Sequence, residues 1–258
     1  MIELRNLTKT FPGGVRALRD VSFSVGRGEF VVLIGLSGCG KTTALKTINR
    51  LVKPDSGTIA IDDVRSAEWD EISLRRNIGY VIQDVGLLPH LTVAQNVAIV
   101  PRLRGWKGDR IKEKVERMLA MVNLDPATFG DRYPHELSGG QQQRIGVARA
   151  LAGDPEIVLM DEPFGALDPI TREELQDEFL KLQQQIHKTI VFVTHDIFEA
   201  VKMGNRIAVM KDGVVEQIDT VEGIIENPAS EFVRSFLGRH RDYLARFAEE
   251  MASQKAQP

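Results

Sequence analysis

The sequence predicts an α/β fold in which a mostly parallel β-sheet carries helices on both faces. Short apolar runs typical of buried strands alternate with helical patterns along most of the chain, and this alternation produces parallel sheets. In addition, the apolar run at 30–34 leads directly into a glycine-rich turn and then into a helical pattern. Strand, glycine turn and helix in this order are typical of the ligand-binding edge of such a sheet.

Each strand is predicted from a short apolar or alternating run bounded by turn residues. The runs 30–34 and 157–160 are continuously apolar, which is typical of strands buried on both faces. The predicted strands are 2–7, 21–25, 30–34, 57–61, 78–82, 157–160, 190–193, 206–210 and 214–218.

Helical segments are predicted between the strands. The first runs from Lys41 to Arg50 and is expected to stop before Pro54. A second, helical stretch runs from Thr92 to Asn123 and is expected to end near Pro126. It suggests a helical subdomain, about 90–150, inserted between two halves of a larger domain. Apolar residues at helical spacing support the second stretch and a third helix after 157–160: Ile111, Val115, Met118, Leu119 and Val122 in the former, and Leu175, Phe179, Leu182 and Ile186 in the latter.

The composition is that of an ordinary globular protein. Of 258 residues, 43% are hydrophobic and 27% are charged, and the net charge is -3. The chain therefore has no basic excess that would indicate a nucleic-acid partner. The single cysteine, Cys39, excludes an intrachain disulfide and indicates a reducing compartment. The apolar runs are far shorter than the about 20 residues of a spanning helix, so any membrane part is expected on another chain.

Residues 35–42 read Gly-Leu-Ser-Gly-Cys-Gly-Lys-Thr and fit the phosphate-binding pattern G-x-x-x-x-G-K-[ST]. Glycines in such a turn let several backbone N–H groups point at one anion, and the following helix adds its positive N-terminal end. The lysine is expected to reach the β- and γ-phosphates, and the first threonine to ligate Mg²⁺. A chance glycine turn is the alternative, which the flanking strand and helix disfavour. The predicted nucleotide-binding residues of this turn are Gly35, Ser37, Gly38, Cys39, Gly40, Lys41, Thr42 and Thr43.

A second candidate site follows the strand 157–160, which ends in the carboxylates Asp161 and Glu162. A buried parallel strand delivers such residues to the carboxyl edge of the sheet, where phosphate sites form. Asp161 is predicted to hold Mg²⁺, mainly through water. Glu162 is predicted to accept a proton from attacking water. An ordinary acidic turn before Pro163 is the alternative, and the phosphate-binding pattern favours the catalytic interpretation.

Residues 137–141 read Leu-Ser-Gly-Gly-Gln and resemble the signature motif of ABC ATPases. The serine is expected to cap a helix, and the glycines to expose N–H groups to an anion. The resemblance extends from about residue 2 to 238. It implies a P-loop NTPase core with a mostly parallel sheet, an inserted helical subdomain and a small antiparallel β region. It also implies a homodimer in which the ATP bound by one subunit is covered by signature residues of the other, Ser138, Gly139, Gly140 and Gln141.

Further positions match ABC motifs one by one. Gln83 resembles the Q-loop glutamine that contacts Mg²⁺ or water, and residues 84–97 are expected to meet the membrane partner, an ordinary surface loop being the alternative. Asp168 resembles the D-loop aspartate at the dimer interface. His195 resembles the switch histidine that contacts the γ-phosphate. Phe11 lies where the family places an aromatic ring against adenine, and a core aromatic beside the first strand is the alternative.

Within this family the chain most resembles the ATPases of importers for quaternary-amine osmoprotectants such as glycine betaine, choline and carnitine. The segments 48–54, 79–90 and 161–172 carry the likeness. It implies an integral-membrane permease, an extracytoplasmic solute-binding protein as an indirect partner, and a peripheral position on the cytoplasmic face of the membrane. The alternatives are the ATPase of another importer, for amino acids or polyamines, and a soluble ABC ATPase without a transport role.

The C-terminal region departs from the resemblance. Many osmoprotectant ATPases continue into paired CBS domains, whereas this chain stops 21 residues after Leu237. We therefore expect an ATPase domain over 2–238 without CBS domains. Residues 239–258 are expected to form a polar, frayed tail.

Overall fold

The structure is a computed structural model that describes residues 1–83, 85–165, 167–238, 243–244 and 246–247. The strands are β1 Ile2–Thr10, β2 Arg16–Val25, β3 Phe30–Gly35, β4 Ser56–Ile61, β5 Val64–Arg65, β6 Ile78–Val81, β7 Ile157–Asp161, β8 Thr189–Val193, β9 Arg206–Lys211 and β10 Val214–Thr220. The α-helices are α1 Lys41–Ile48, α2 Glu71–Asn77, α3 Val93–Val97, α4 Ile99–Leu103, α5 Gly108–Met121, α6 Pro126–Phe129, α7 Gly139–Ala152, α8 Pro169–Ile186, α9 Ile197–Met203, α10 Val221–Glu226 and α11 Glu231–Leu237. Short 3-10 helices occur at Ser66–Glu68 and Pro134–Glu136.

These elements form two compact units, one made of residues 1–69 with the described residues from 189 onward, the other of residues 70–188. In the first unit, β2, β1, β4 and β5 form an antiparallel sheet in that order. Strand β3 is fully buried and pairs in parallel with β8 and β9, and β10 pairs antiparallel with β9. Helix α1 contacts β3 and β8, and α9 contacts β3. The carboxyl end of β3 therefore leads into the glycine turn from the middle of a buried parallel sheet.

The second unit is organised around α7. Its strands β6 and β7 are parallel, and α7 packs against β6 and against the helices α3, α4, α5 and α8. Gly79 on β6 makes this packing possible, because an added Cβ would lie 2.6 Å from the carbonyl oxygen of Ala150. The apolar residues predicted for α5 and α8 lie largely in the interior, with Val115, Met118, Leu119, Leu175, Phe179 and Leu182 buried.

The α/β prediction, with a mostly parallel sheet and a small antiparallel region, is confirmed. The limits of the inserted helical subdomain stay a prediction. Within the described residues no helix is both long enough and apolar enough to cross a membrane. Of the predicted tail, the structure describes only 243–244 and 246–247.

Three helical segments differ from the prediction. Helix α1 stops before Pro54 as expected but ends at Ile48, two residues before the predicted Arg50, because Arg50 adopts a left-handed backbone with φ 55°. The stretch predicted as helical from Thr92 contains three helices, α3, α4 and α5, and Gly105 with φ 71° lies in the turn before α5. Pro126 begins α6 instead of ending a helix, since proline is favourable in the first turn and Asp125 caps that turn.

Candidate functional site

The first unit carries the glycine turn between β3 and α1. Gly40, the residue before α1, has φ 106°, and an added Cβ there would lie 2.3 Å from the carbonyl oxygen of Ala17. Among the described residues no side chain caps the start of α1, and its first turn contains no acidic residue. The first backbone N–H groups of a helix lack intrahelical acceptors and carry partial positive charge. The geometry therefore suits an anion at the start of α1.

The turn adds a buried cation to this helix start. Lys41 is 5% exposed, and its Nζ donates to the carbonyl oxygens of Gly35 at 2.8 Å and Leu36 at 3.0 Å. The Sγ of Cys39, itself buried, lies 3.8 Å from the same Nζ. Other predicted positions of this turn are more accessible: Ser37 and Gly38 are exposed, and Thr42 and Thr43 are half-buried.

Phe11 lies in the loop between β1 and β2. Its backbone N–H donates to the carbonyl of Val15 and its carbonyl accepts from Gly14, which closes a tight turn. The ring is 36% exposed, and the Nζ of Lys9 lies 5.7 Å from its centroid. The alternative of a core aromatic is therefore not supported, whereas stacking on an adenine base stays a prediction.

His195 lies in the turn between β8 and α9 of the same unit. Its side chain is exposed, although Thr194 before it is 2% exposed. The N–H of Thr194 donates to the carbonyl of Leu33 on β3 at 3.2 Å. The histidine thus projects from a backbone that is tied to the strand leading into the glycine turn.

The second unit carries the predicted carboxylates. Asp161 ends β7 and is 3% exposed. In the parallel register, Tyr80 of β6 pairs with Leu159, two residues before Asp161, so both side chains leave the sheet on the same face. Burial raises the pKa of Tyr80 far above its usual range, and the charge of Asp161 adds to this shift. The Tyr80 hydroxyl therefore stays a neutral potential donor beside the carboxylate.

Glu162 follows in an unusual backbone conformation. Its φ is 45°, in the left-handed region that glutamate rarely adopts, and its carbonyl accepts from the N–H of Gly165 at 3.2 Å. Its side chain is half-buried, and Gln83, two residues after β6, is exposed. A strained turn directly after a metal-binding type of carboxylate is typical of functional sites.

Ser138 caps α7 as predicted. Its Oγ accepts from the N–H of Gln141 at 3.3 Å, and the Oε1 of Gln141 accepts from the N–H of Ser138 at 3.0 Å. A Cβ added to Gly139 would meet no atom within 4 Å, so the helix start is open. This unit therefore carries a second helix N-terminus with a small, open approach.

Asp168 caps α8, where its Oδ1 accepts from the N–H of Thr171 at 3.1 Å. The hydrogen bonds to Thr171 lower the pKa of Asp168 below its usual value. A Cβ added to Gly140 would lie 2.8 Å from the Cγ2 of Thr171, so the starts of α7 and α8 are close neighbours. The structure thus brings the predicted signature and D-loop residues together within this unit.

The residues present fit a nucleotide with Mg²⁺. In the first unit, the uncapped start of α1 at Lys41 suits a polyphosphate. In the second unit, the buried carboxylate of Asp161 suits a hard cation. The described residues contain no cluster of three or more His, Cys, Asp or Glu that could hold a metal alone. Mg²⁺ commonly takes most of its ligands from phosphate and water, so few protein ligands are needed beside a bound nucleotide.

Three residues of these segments were not predicted from the sequence. Tyr80 lies in a regular strand and Arg149 in a regular helix. Only the packed structure shows which groups lie next to the Tyr80 hydroxyl and the Arg149 guanidinium. Glu199, on α9, is 6% exposed, which is unusual for a carboxylate. A glutamate at this spacing from a threonine carries no sequence signal of its own.

Comparison with known proteins gives consistent matches. A family model described as ABC transporter matches residues 18–165. The choline transport ATP-binding protein OpuBA of Bacillus subtilis (strain 168) is 54% identical over 241 residues, which cover 93% of this chain and 63% of that protein. The glycine betaine uptake system ATP-binding protein YehX of Escherichia coli (strain K12) is 48% identical over 239 residues, covering 93% of this chain and 77% of that protein. The chain thus spans less than two thirds of the length of OpuBA.

A solved structure agrees with the fold. It is described as the dimeric structure of a post-hydrolysis state of the ATP-binding cassette MJ0796 bound to ADP and Pi. The TM-score is 0.77 at 39% sequence identity, and the match covers 85% of this chain and 98% of that chain.

Proposed function

The chain belongs to the ABC transporter family, and from this premise we propose that it is the ATP-hydrolysing subunit of a membrane importer for quaternary amines. The observation that carries the proposal is the presence of two accessible helix starts. No described side chain caps the start of α1 at Lys41, and at α7 the cap Ser138 is followed by the unobstructed Gly139. A single bound nucleotide needs only one such site, so two are explained by a dimer in which each copy supplies a different one. The names of OpuBA and YehX support the solute class.

In this proposal Lys41 and the backbone of the glycine turn bind the phosphates of ATP. Phe11 stacks on the adenine ring, which its exposed position in a loop allows. Thr42 and Asp161 hold Mg²⁺, with Gln83 as a further ligand directly or through water. Bound Mg²⁺ would neutralise charge on the β- and γ-phosphates and favour displacement at phosphorus.

Hydrolysis then requires a positioned water molecule and a base. Glu162 accepts a proton from this water, and its constrained backbone limits where the carboxylate can lie. His195 contacts the γ-phosphate and donates a hydrogen bond to charge that develops there. Because phosphoryl transfer depends mainly on positioning and charge stabilisation, these roles are sufficient for catalysis.

The partners follow from the same model. Ser138, Gly139, Gly140 and Gln141 of a second copy close over the γ-phosphate, and Asp168 lies at the dimer interface. Residues 85–97, together with Asp84 outside the described residues, meet an integral-membrane permease on the cytoplasmic face of the membrane. A solute-binding protein acts on the permease from the opposite side.

The test is Glu162→Gln, which keeps the side-chain volume but removes the ability to take a proton from water. ATP binding should persist, because it depends on Lys41 and backbone donors. Hydrolysis should fall by about 10²-fold or more, the usual contribution of a positioned general base. ATP that is not hydrolysed should then hold two copies together, so light scattering should detect a dimer with Mg·ATP and a monomer without it.

Lys41→Ala in the Glu162→Gln background is the matched control. It removes the phosphate-binding cation and should abolish the ATP-dependent dimer. A Glu162→Gln protein that binds ATP yet stays monomeric at high protein concentration would contradict the dimer model. Hydrolysis at the parent rate would contradict the assignment of the base.

A further inference from the structure

The turn that carries His195 contains a buried hydrogen-bonded pair. Thr194, 2% exposed, donates from Oγ1 to the Oε2 of Glu199 at 2.5 Å, and Glu199 is 6% exposed. Removing a carboxylate from water is costly unless hydrogen bonds compensate it. The buried pair is not needed to cap α9, because that helix has a separate N-terminal cap. Another role must therefore account for the burial of Glu199.

That cap is Asp196, whose Oδ1 accepts from the N–H of Phe198 at 2.8 Å. Asp196 is in turn held by Thr194, because the same Oγ1 that donates to Glu199 accepts from the N–H of Asp196 at 3.0 Å. The threonine hydroxyl thus acts as both a hydrogen-bond donor and a hydrogen-bond acceptor. Its donation to a carboxylate fixes the hydroxyl proton and leaves a lone pair for Asp196, and such linked hydrogen bonds strengthen one another.

The consequence is a backbone held on both sides of His195. Thr194 before it is bound to β3 through the carbonyl of Leu33, and Asp196 after it is bound to the threonine hydroxyl. The imidazole itself is exposed. Fixing the backbone of a residue reduces the conformational entropy that is lost when its side chain must meet a reacting group.

We propose that Thr194 and Glu199 are positioning residues for His195. The inference rests on the proposed function, because it assumes that His195 contacts the γ-phosphate. Neither residue touches the nucleotide in this proposal. Their loss should therefore lower kcat for ATP hydrolysis while leaving KM for ATP unchanged.

The experiment compares two substitutions of Thr194 in the full chain. Thr194→Val keeps the shape but removes the hydroxyl, and kcat should fall about tenfold, the loss expected from one hydrogen bond that orients a catalytic group. Thr194→Ser keeps the hydroxyl and should retain a kcat close to that of the parent. Amide exchange of Asp196 in the nucleotide-free protein should accelerate in the valine variant only, because its acceptor is lost.

The double variant with His195→Ala separates positioning from general stability. His195→Ala alone should lower kcat by about 10²-fold, and adding Thr194→Val should lower it no further if the threonine acts through the histidine. Additive losses would overturn the inference. If His195→Ala is slow but Thr194→Val has the parent kcat, the positioning inference is overturned and the proposed function stands. If His195→Ala itself has the parent kcat, the proposed role of His195 is overturned too.

Substitutions of Glu199 keep the inference testable should Thr194→Val fold poorly. Glu199→Gln retains an acceptor oxygen and should retain most of the activity. Glu199→Met has a similar volume without an acceptor and should behave like Thr194→Val, with a lower kcat and an unchanged KM. Equal kcat values for the two Glu199 variants would overturn the proposed positioning role of the hydrogen bond between Thr194 and Glu199.

Discussion

At the scale of single residues, two positions of the glycine turn require glycine for different reasons, one for its backbone conformation and the other also for lack of space. Gly38 needs only its left-handed backbone, with φ 78° and no atom within 4 Å of an added Cβ. Gly40 has φ 106° and also no space for a side chain, since the Ala17 carbonyl oxygen would lie 2.3 Å from an added Cβ.

We predict that Gly38→Ala costs about 1–2 kcal/mol in free energy of unfolding, and Gly40→Ala about 3 kcal/mol or more. Urea unfolding of both variants without nucleotide measures this, and equal losses would contradict the assigned clash.

The motif identified these residues from the sequence, but their surroundings could not be predicted in the same way. Lys41 and Thr42 are recognised by spacing alone. Cys39 is buried, and its carbonyl accepts from the N–H of Gly213, in the distant turn before β10, at 3.0 Å. Local pattern contains no information about a neighbour so far along the chain.

At the scale of elements, α7 is linked to the loop after Gln83 by one side chain. The two terminal nitrogens of Arg149 donate to the carbonyl oxygens of Gly86 and Val85, each at 2.6 Å. Both of these loop residues have left-handed backbones. Burial lowers the pKa of Arg149, but a guanidinium stays charged at neutral pH. The helix that begins at the signature motif is therefore connected to the loop predicted to meet the permease.

We predict that Arg149→Met lowers the free energy of unfolding by about 2 kcal/mol, the typical contribution of hydrogen bonds to a charged donor. Amide hydrogen exchange of Val85 and Gly86 should accelerate. Arg149→Lys keeps the charge but cannot span both carbonyls, so it should give an intermediate result. Arg117→Met, on the exposed face of α5, is the control and should change neither property. Unchanged exchange in Arg149→Met would show that the loop is held by other contacts.

Which elements could be predicted depends on length and burial. Strands such as β3 and β7 are buried throughout, so their apolar runs are unmistakable. Helices α2 and α10 were not predicted, since each has seven residues or fewer and too few turns to show a period. Their caps, Asp70 and Thr220, are the only local signals, and such residues are equally common in turns.

At the scale of the whole molecule, the family and its nucleotide motifs were predictable because each motif lies within a few consecutive residues. The transported solute, by contrast, is not indicated by any such motif. In the proposed function no residue of this chain contacts the solute, so the assignment to quaternary amines rests on overall similarity, such as the 54% identity to OpuBA.

We predict that proteoliposomes containing this chain, its permease and its solute-binding protein take up labelled glycine betaine, choline or carnitine when ATP is supplied. Uptake should require ATP on the side of this subunit, because hydrolysis drives the transport cycle in the proposed function. The matched control is the same assembly with Glu162→Gln, which should bind ATP and transport at a rate lower by about 10²-fold or more. ATP-dependent uptake of only a sugar, a metal ion or a polyamine would reject the quaternary-amine assignment and leave the ATPase role intact. Transport by the Glu162→Gln assembly at the parent rate would instead reject Glu162 as the base, since transport would then proceed without the proton acceptor that hydrolysis requires.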